Sequence, residues 1–427
     1  MIQSIHERYG LNPTNVIRTV TDNASNFAKA FKEFGLDTIA TGDPNVNIDA
    51  ESENIEEPFE EFDIQDVEND VTFEPIDPYA MSQAIDDTMF ELPLQERCKS
   101  HSISLVATTD IKKAKLPEHV KKIQESAFKK VTKLWNKAHR PKSAEIIERI
   151  FLKQLSTPCI TRWNSLYDAL VCLLAYKLEE INKALTELEL ERLRETEYEF
   201  LKEYVKVLAP LAINIDKCQR ENNSYYGLAI PILRQLKLDL LKVKNSQPKY
   251  TLPIVKAALE GVDRRFGAYI EQDVSVVKDA LIATISHPQF KMALIKEENR
   301  EFLKQCFISE AENLNSTELS EGDDQPERDS HFDWPEDQST QGGNSNQNKV
   351  SIEVLQFLDD PGTKLEILHK YPFVKKVFLK FNTPLIASAP VERLFSFGSI
   401  IIGGRRGRLT DDNFEKLCIM KANGTNM

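Results

Sequence analysis

Asp22 and Glu392 are the two carboxylates whose surroundings in the chain suit chemistry. Glu392 lies in the stretch SAPVERLFSFGSIIIGGRRGRL, Ser388 to Leu409. Pro390 fits the first turn of a helix there, because the amide it lacks would have no intrahelical partner. Val391, Leu394, Phe395 and Ile402 then fall at i, i+3, i+4 and i+11, a face the spacing assigns to a core. Glu392, Ser396 and Ser399 share a second, polar face. Asp22 follows the β-branched run Val16-Ile17-Arg18-Thr19-Val20-Thr21, which reads as a buried strand. An acidic residue just past a strand's carboxyl end is where open α/β sheets place their chemistry. Each carboxylate also has a plain structural reading. Glu392 complements a helix dipole, and Asp22 or Asn23 caps the helix that carries Phe27, Phe31 and Phe34. Spacing alone leaves both readings open.

Three other signals concern binding. Cys98-x-x-His101 is a weak metal motif, since zinc needs four ligands and no second pair stands nearby. Thr161-Arg162-Trp163-Asn164-Ser165 sets a flat aromatic beside a cation at the head of a helix, although a lone tryptophan is more often core. From Lys99 to Lys142 the chain is basic, with Lys112, Lys113, Lys115, Lys121, Lys122, Lys129, Lys130, Lys133 and Lys137. Such a run is either a solvated helix face or a surface for phosphates.

The elements that must position these residues are mostly helical. Residues 162–308 read as successive amphipathic helices, for example through Leu166, Leu170, Leu173, Leu174 and Leu178. A second short strand is expected near Gln95–Lys99. At 427 residues the chain can bury a sizeable core in more than one packing unit. Six cysteines without paired spacing suit a reducing compartment. No apolar run approaches the length of a membrane span, and the N-terminus is too polar for a signal peptide, so a soluble, intracellular protein is expected.

The net charge of −13 hides a division. Between Thr41 and Glu91 there are seventeen Asp/Glu and no Lys/Arg; between Glu310 and Asp337 there are eleven against one Arg. The remainder carries about +14 by the same count. Both acidic stretches read as disordered, because they hold too little apolar surface to offset chain entropy.

Several of these stretches resemble blocks of the hAT-superfamily DNA transposases. The run YPFVKKVFLKFNTPLIASAPVERLFSFGSIIIGGRRGRLTDDNFEKLCIMKAN, Tyr371 to Asn423, is similar to that group's C-terminal block, with its ERxFS core, Arg-rich turn and RLTxxNxExL helix. TDNASNFAKAF resembles the TDNAxNxxxA block, RCKSHSISL the Cys-x-x-His junction beside the active site, and TRWNS the TRWxS block. The resemblance implies a ribonuclease H-like fold interrupted by a large all-helical insertion. It makes Asp22 and Glu392 the second and third acidic ligands of a two-metal Mg²⁺ site, since two such ions need converging carboxylates. It sets His101 close to substrate DNA and Trp163 in a stack on an extruded base beside Arg162. Arg405 and Arg406 of the Arg-rich turn become DNA-facing as well. Phe378, Leu394, Phe395, Phe414 and Leu417 become residues that join protomers.

The family's first aspartate lies on the first strand of a three-strand meander, and the resemblance implies that the stretch in hand starts after it. The family's BED-type zinc finger has no counterpart either, because no Cys₂His₂ spacing occurs. The expected fold class is therefore mostly α with a small α/β remnant, a truncated ribonuclease H-like fold. Its expected parts are a partial core in 1–40, an acidic insert in 41–92, a return to the core in 93–115, a helical insertion in 116–308, an acidic linker in 309–349, and a dimerisation block in 350–427. The expected function is that of a nuclear, transposase-derived, DNA-binding and self-associating protein, not an enzyme and without a cofactor as it stands. Its expected partners are DNA and a second copy, with no membrane and no small-molecule substrate. Two alternatives stand beside it: a piece of an active transposase, and a helical interaction module with no DNA role.

Overall fold

The computed structural model describes residues 8, 10, 16–21, 94–159, 164–220, 224–316, 343–402 and 409–424. Their order is two short strands followed by helices. The strands β1 (Thr19–Thr21) and β2 (Gln95–Arg97) pair in parallel, Thr19 with Gln95, Val20 with Glu96 and Thr21 with Arg97. Strand β1 is shorter than the expected Val16–Thr21, because the ladder ends where Thr19 N–H donates to Leu94 O at 2.9 Å. Helix α1 (Lys99–Leu105) follows β2 directly and runs through a π-helical turn, Val106–Asp110, into Ile111–Lys113.

The helical body begins with α2 (Glu118–Ala138), α3 (Pro141–Phe151), α4 (Ser165–Leu174), α5 (Leu178–Glu187) and α6 (Glu195–Cys218). It continues with α7 (Ala229–Asn245), α8 (Leu252–Glu271) and α9 (Val274–Ser286). The apolar periodicity that marks these helices also builds their core. Ala127, Val131, Leu134 and Trp135 of α2 are fully buried, as are Phe200, Leu201 and Val207 of α6. Phe128 meets Tyr204 edge-on at 5.2 Å, which joins the two helices. The N-terminus of α8 is held by Glu203 of α6, whose carboxylate accepts from the amides of Lys249, Tyr250 and Thr251 at 2.8–3.1 Å. That bond set pins the turn that leads into α8 and places a negative charge at the helix's positive end.

Helix α10 (Glu297–Ser316) runs into the stretch expected to be an acidic linker, and α11 (Gly343–Asp359) starts within it. The linker expected over 309–349 is therefore shorter. Leu303, Phe307 and Ala311 bury one face of α10, and its acidic face finds partners. Glu310 pairs with Lys380 at 3.0 Å and Glu312 accepts from the Ser351 hydroxyl at 3.1 Å. The chain closes with α12 (Pro372–Asn382), α13 (Ala389–Ile402) and α14 (Asp411–Gly424). Asn382 ends α12 and ties it to the body: it accepts from Gly227 N–H at 2.9 Å and donates to Ala283 O at 3.1 Å. A Cβ at Gly227 would lie 2.4 Å from that same carbonyl, so only glycine lets the backbones approach.

Two testable consequences arise here. Leu152 ends α3 in the left-handed region (φ 58°) with 89% of its surface exposed. A leucine there gains no burial and meets the steric cost that glycine escapes. Leu152→Gly is expected to raise stability by about 1 kcal/mol in urea unfolding. His287 follows α9 and packs between Phe290 (4.9 Å), Phe378 (5.9 Å) and Tyr225 (6.0 Å). Its Nδ1 accepts from Gln289 N–H at 3.2 Å, which needs the neutral ring. Burial pushes its pKa down to about 4. The unfolded chain takes up this proton near pH 6.5, so the contribution is complete above that pH and is lost as pH falls toward 4. Between pH 7 and 5 the wild type should lose about 2 kcal/mol more than His287→Gln.

Candidate functional site

Three chain segments that sequence places far apart meet at Cys98. Its N–H donates to Thr21 O at 2.7 Å, the last residue of β1. Its sulfur accepts from His101 N–H at 3.4 Å, which caps α1, and from Ser388 N–H at 3.3 Å, just before α13. Next to it Lys99 N–H donates to Ile386 O at 2.9 Å. Cys98 is wholly buried. A small, soft acceptor suits this crossing, because a larger side chain would push the segments apart. The structure thus answers the Cys-x-x-His motif with a helix cap.

Glu392 lies in the first turn of α13, exposed, with Oε1 accepting from the Ser388 hydroxyl at 2.8 Å. His101 is half-buried in the first turn of α1. The end of β1, the β2–α1 junction and the start of α13 therefore converge, with Ser388 bonded both to Cys98 and to Glu392. Asp22, Arg162, Trp163, Arg405 and Arg406 lie outside the described residues. Among the described residues no group of three or more His, Cys, Asp or Glu is placed to hold a metal ion. Glu392 by itself does not make the donor set that Mg²⁺ requires.

Beside this junction lies a buried charge cluster that the sequence did not announce. Glu96 of β2 is 4% exposed and accepts from Lys99, from Arg18 at 3.3 Å, and from the hydroxyls of Tyr226 (2.7 Å) and Tyr269 (2.8 Å). Arg18 also reaches Asp279 of α9 at 3.0 Å, and the Lys99 ammonium lies 3.9 Å from the Tyr269 ring centre. Burial alone would raise the Glu96 carboxyl. The Lys99 and Arg18 charges outweigh it and hold the group below the ordinary carboxylate range. Every oxygen is committed, so the cluster ties β1 and β2 to α8 and α9.

The basic run divides in the same way. Lys99 belongs to that cluster. Lys130 is buried against Glu197 at 2.8 Å, with Ser126 donating to the same carboxylate at 2.6 Å. Lys137 donates to Leu188 O. Helical spacing carried the signal for Lys130, which falls between Ala127 and Leu134 on the buried face of α2. The exposed remainder is Lys112, Lys113, Lys115, Lys121, Lys122, Lys129 and Lys133.

The C-terminal helices correct the expected core face of α13. Val391 (51%), Leu394 (39%), Phe395 (69%) and Ile402 (52%) are exposed. The packed side of α13 is instead Ala389, Gly398 and Ile401. Gly398 admits Phe414 of α14 so closely that a Cβ would lie 3.1 Å from its ring. Arg393 anchors α13 to the body by donating to Gln219 O at 2.6 Å. On α14, Phe414 and Leu417 are half-buried, while Ile419 (47%) and Met420 (69%) are exposed. Phe378, expected to join protomers, is 6% exposed and packs on Tyr225 at 5.5 Å, so it belongs to the core.

Compared with protein-family models and with curated proteins, the chain gives no match. No helix among the described residues is long and apolar enough to cross a membrane.

Proposed function

We propose that this chain is a transposase-derived protein of the hAT type that binds DNA and joins copies of itself through its C-terminal helices, and that it is catalytically incomplete as it stands. The observation that carries the reading is the apolar face of α13, where Val391, Leu394, Phe395 and Ile402 share one side of a helix and all are exposed among the described residues. A contiguous apolar face of this kind on a folded protein marks a contact surface. The anchoring of α13 by Arg393 and by its packing on α14 keeps that face presented. The DNA part of the reading rests on the resemblance and on the exposed lysines of the 112–133 region, and with it goes a place in the nucleus. A duplex held through phosphates should dissociate steeply with salt.

The convergence of β1, the Cys98 junction and α13 favours one further reading, a piece of an active transposase. Its site would take Mg²⁺ between Asp22, Glu392 and an acidic residue supplied from outside this chain. The experiment that separates the two incubates the full chain with a transposon-end-like duplex and Mg²⁺ or Mn²⁺. Binding that weakens at least a hundredfold between 50 and 200 mM salt, without strand cleavage, is expected. Metal-dependent cleavage that disappears in Glu392→Ala would replace the first reading by the second. Binding that salt leaves unchanged would remove the DNA role.

A further inference from the structure

The segment that joins α12 to α13, residues 383–388, is a short strap gripped from two sides. On one side Leu385 forms an isolated antiparallel bridge with Tyr225. On the other, Lys99 N–H donates to Ile386 O at 2.9 Å, and Ser388 N–H donates to the Cys98 sulfur at 3.3 Å. Ile386 and Ala387 are buried. Both flanks lead to one carboxylate. Lys99, whose amide holds Ile386, has its ammonium on Glu96. Tyr226, next to the bridging Tyr225, donates its hydroxyl to Glu96 at 2.7 Å. Gly227 then donates its amide to Asn382 at 2.9 Å, where the strap begins. Three consecutive residues, 225–227, thus reach the strap, the carboxylate and the end of α12.

The helix that follows the strap buries little surface of its own. Of the fourteen residues of α13, Ala389, Gly398 and Ile401 are buried, and Gly398 is packed by Phe414 of α14. A helix with so small a buried face stands near the low end of local stabilities, whereas α2 and α6 belong to one continuous core. Glu392 lies in the first turn of α13, so the seating of the strap also sets where that carboxylate stands. Asp110 supplies a contrast. It is 3% exposed and accepts from Arg264 and, at 2.8 Å, from Arg265, and these bonds run to α8 rather than to the strap.

We infer that the Glu96 cluster is a latch that seats α13, with Glu392 at its first turn, against the Cys98 junction. While Glu96 holds Lys99 and Tyr226, both flanks of the strap are fixed. When that carboxylate is neutralised, the strap and α13 open as one unit and the helical body stays folded. The coupling runs through contiguous contacts, from the carboxylate to Lys99 and Tyr226 and from their backbone to residues 385 and 386. The latch is a property of these contacts and stands whether or not α13 joins copies or Glu392 meets a metal.

The test is hydrogen exchange on the full chain, read by mass spectrometry over the first minutes of labelling. In Glu96→Gln, peptides covering 383–402 should exchange about tenfold faster than in wild type, while those of α2 and α6 stay protected over that time. Asp110→Asn also leaves partly buried cations short of a carboxylate, so it matches the general destabilisation. It should leave 383–402 within about twofold of wild type. Each comparison is repeated with Leu394→Glu and Phe395→Glu present, which sets apart any protection by a second copy. An unchanged rate over 383–402 in Glu96→Gln, equal acceleration throughout the chain, or the same acceleration in Asp110→Asn would overturn the latch. Tyr226→Phe removes one hydroxyl from Glu96, keeps the buried ring, and serves should Glu96→Gln not fold. The same peptides should then exchange about threefold faster, and an unchanged rate would overturn the latch as well.

Discussion

Glu96→Gln is expected to cost about 3–5 kcal/mol of stability. Glutamine keeps the shape but removes the charge that answers both Lys99 and Arg18. Lys99 is 5% exposed at its side chain and Arg18 12%, so neither cation can turn to water without opening the strand pair. Arg18 retains Asp279, while among the described residues Lys99 keeps only the face of Tyr269. The Tyr226 and Tyr269 hydroxyls, which now donate to a carboxylate, would meet a neutral amide instead. An unpaired buried cation is far more costly than a missing pair. Replacing Lys99 by Met together with Glu96→Gln should therefore recover part of the loss, which a double-mutant cycle in urea would measure. Because Glu96 is held below its ordinary pKa, its share of stability is present at neutral pH and falls away as acid titrates it in the folded state.

Much of the framework around this cluster was legible in the sequence. The β-branched run before Asp22 and the short strand near Gln95 both became strands, and the leucine spacing of residues 162–308 became helices. Pro390 sits in the first turn of α13, as its missing amide requires. Periodicity is a local property and says what a segment is. It does not say what covers it. Val391, Leu394, Phe395 and Ile402 carry the spacing of a core face, yet α13 is held to the body through Arg393 and to α14 through Gly398. The Glu96 cluster was illegible for a related reason. Its partners Tyr226 and Tyr269 lie more than a hundred residues away, and no spacing rule joins a strand glutamate to two tyrosines at that separation. Helix α10 overran the expected linker because Phe307 and Ala311 bury a face that the acidic composition around them concealed.

The second large effect concerns that uncovered face. Leu394→Glu with Phe395→Glu is expected to weaken self-association by at least a hundredfold. Phe395 is 69% exposed and Leu394 39%, both beside Val391 on one face. Burial of side chains of this size stabilises a contact by about 1.5–3 kcal/mol each, and a carboxylate in their place must be desolvated without a partner. Neither side chain supports the fold from inside. The substitutions should therefore leave the helical signal and the urea midpoint within about 0.5 kcal/mol of wild type, the usual range for exposed positions. Phe378→Glu is the opposing control. It removes a buried ring packed on Tyr225 and His287, and it should unfold the α12 region whatever the oligomeric state.

Sedimentation velocity on the full chain, from about one to fifty micromolar and at 0.1 and 0.5 M salt, tests self-association most directly. The expected result is a dimer or larger species that persists at the higher salt, since apolar burial is not screened as ion pairs are. The Leu394→Glu, Phe395→Glu protein should sediment as a monomer across the same range while remaining folded. A wild-type chain that stays monomeric at every concentration, or a double variant that assembles as tightly as the wild type, would contradict it.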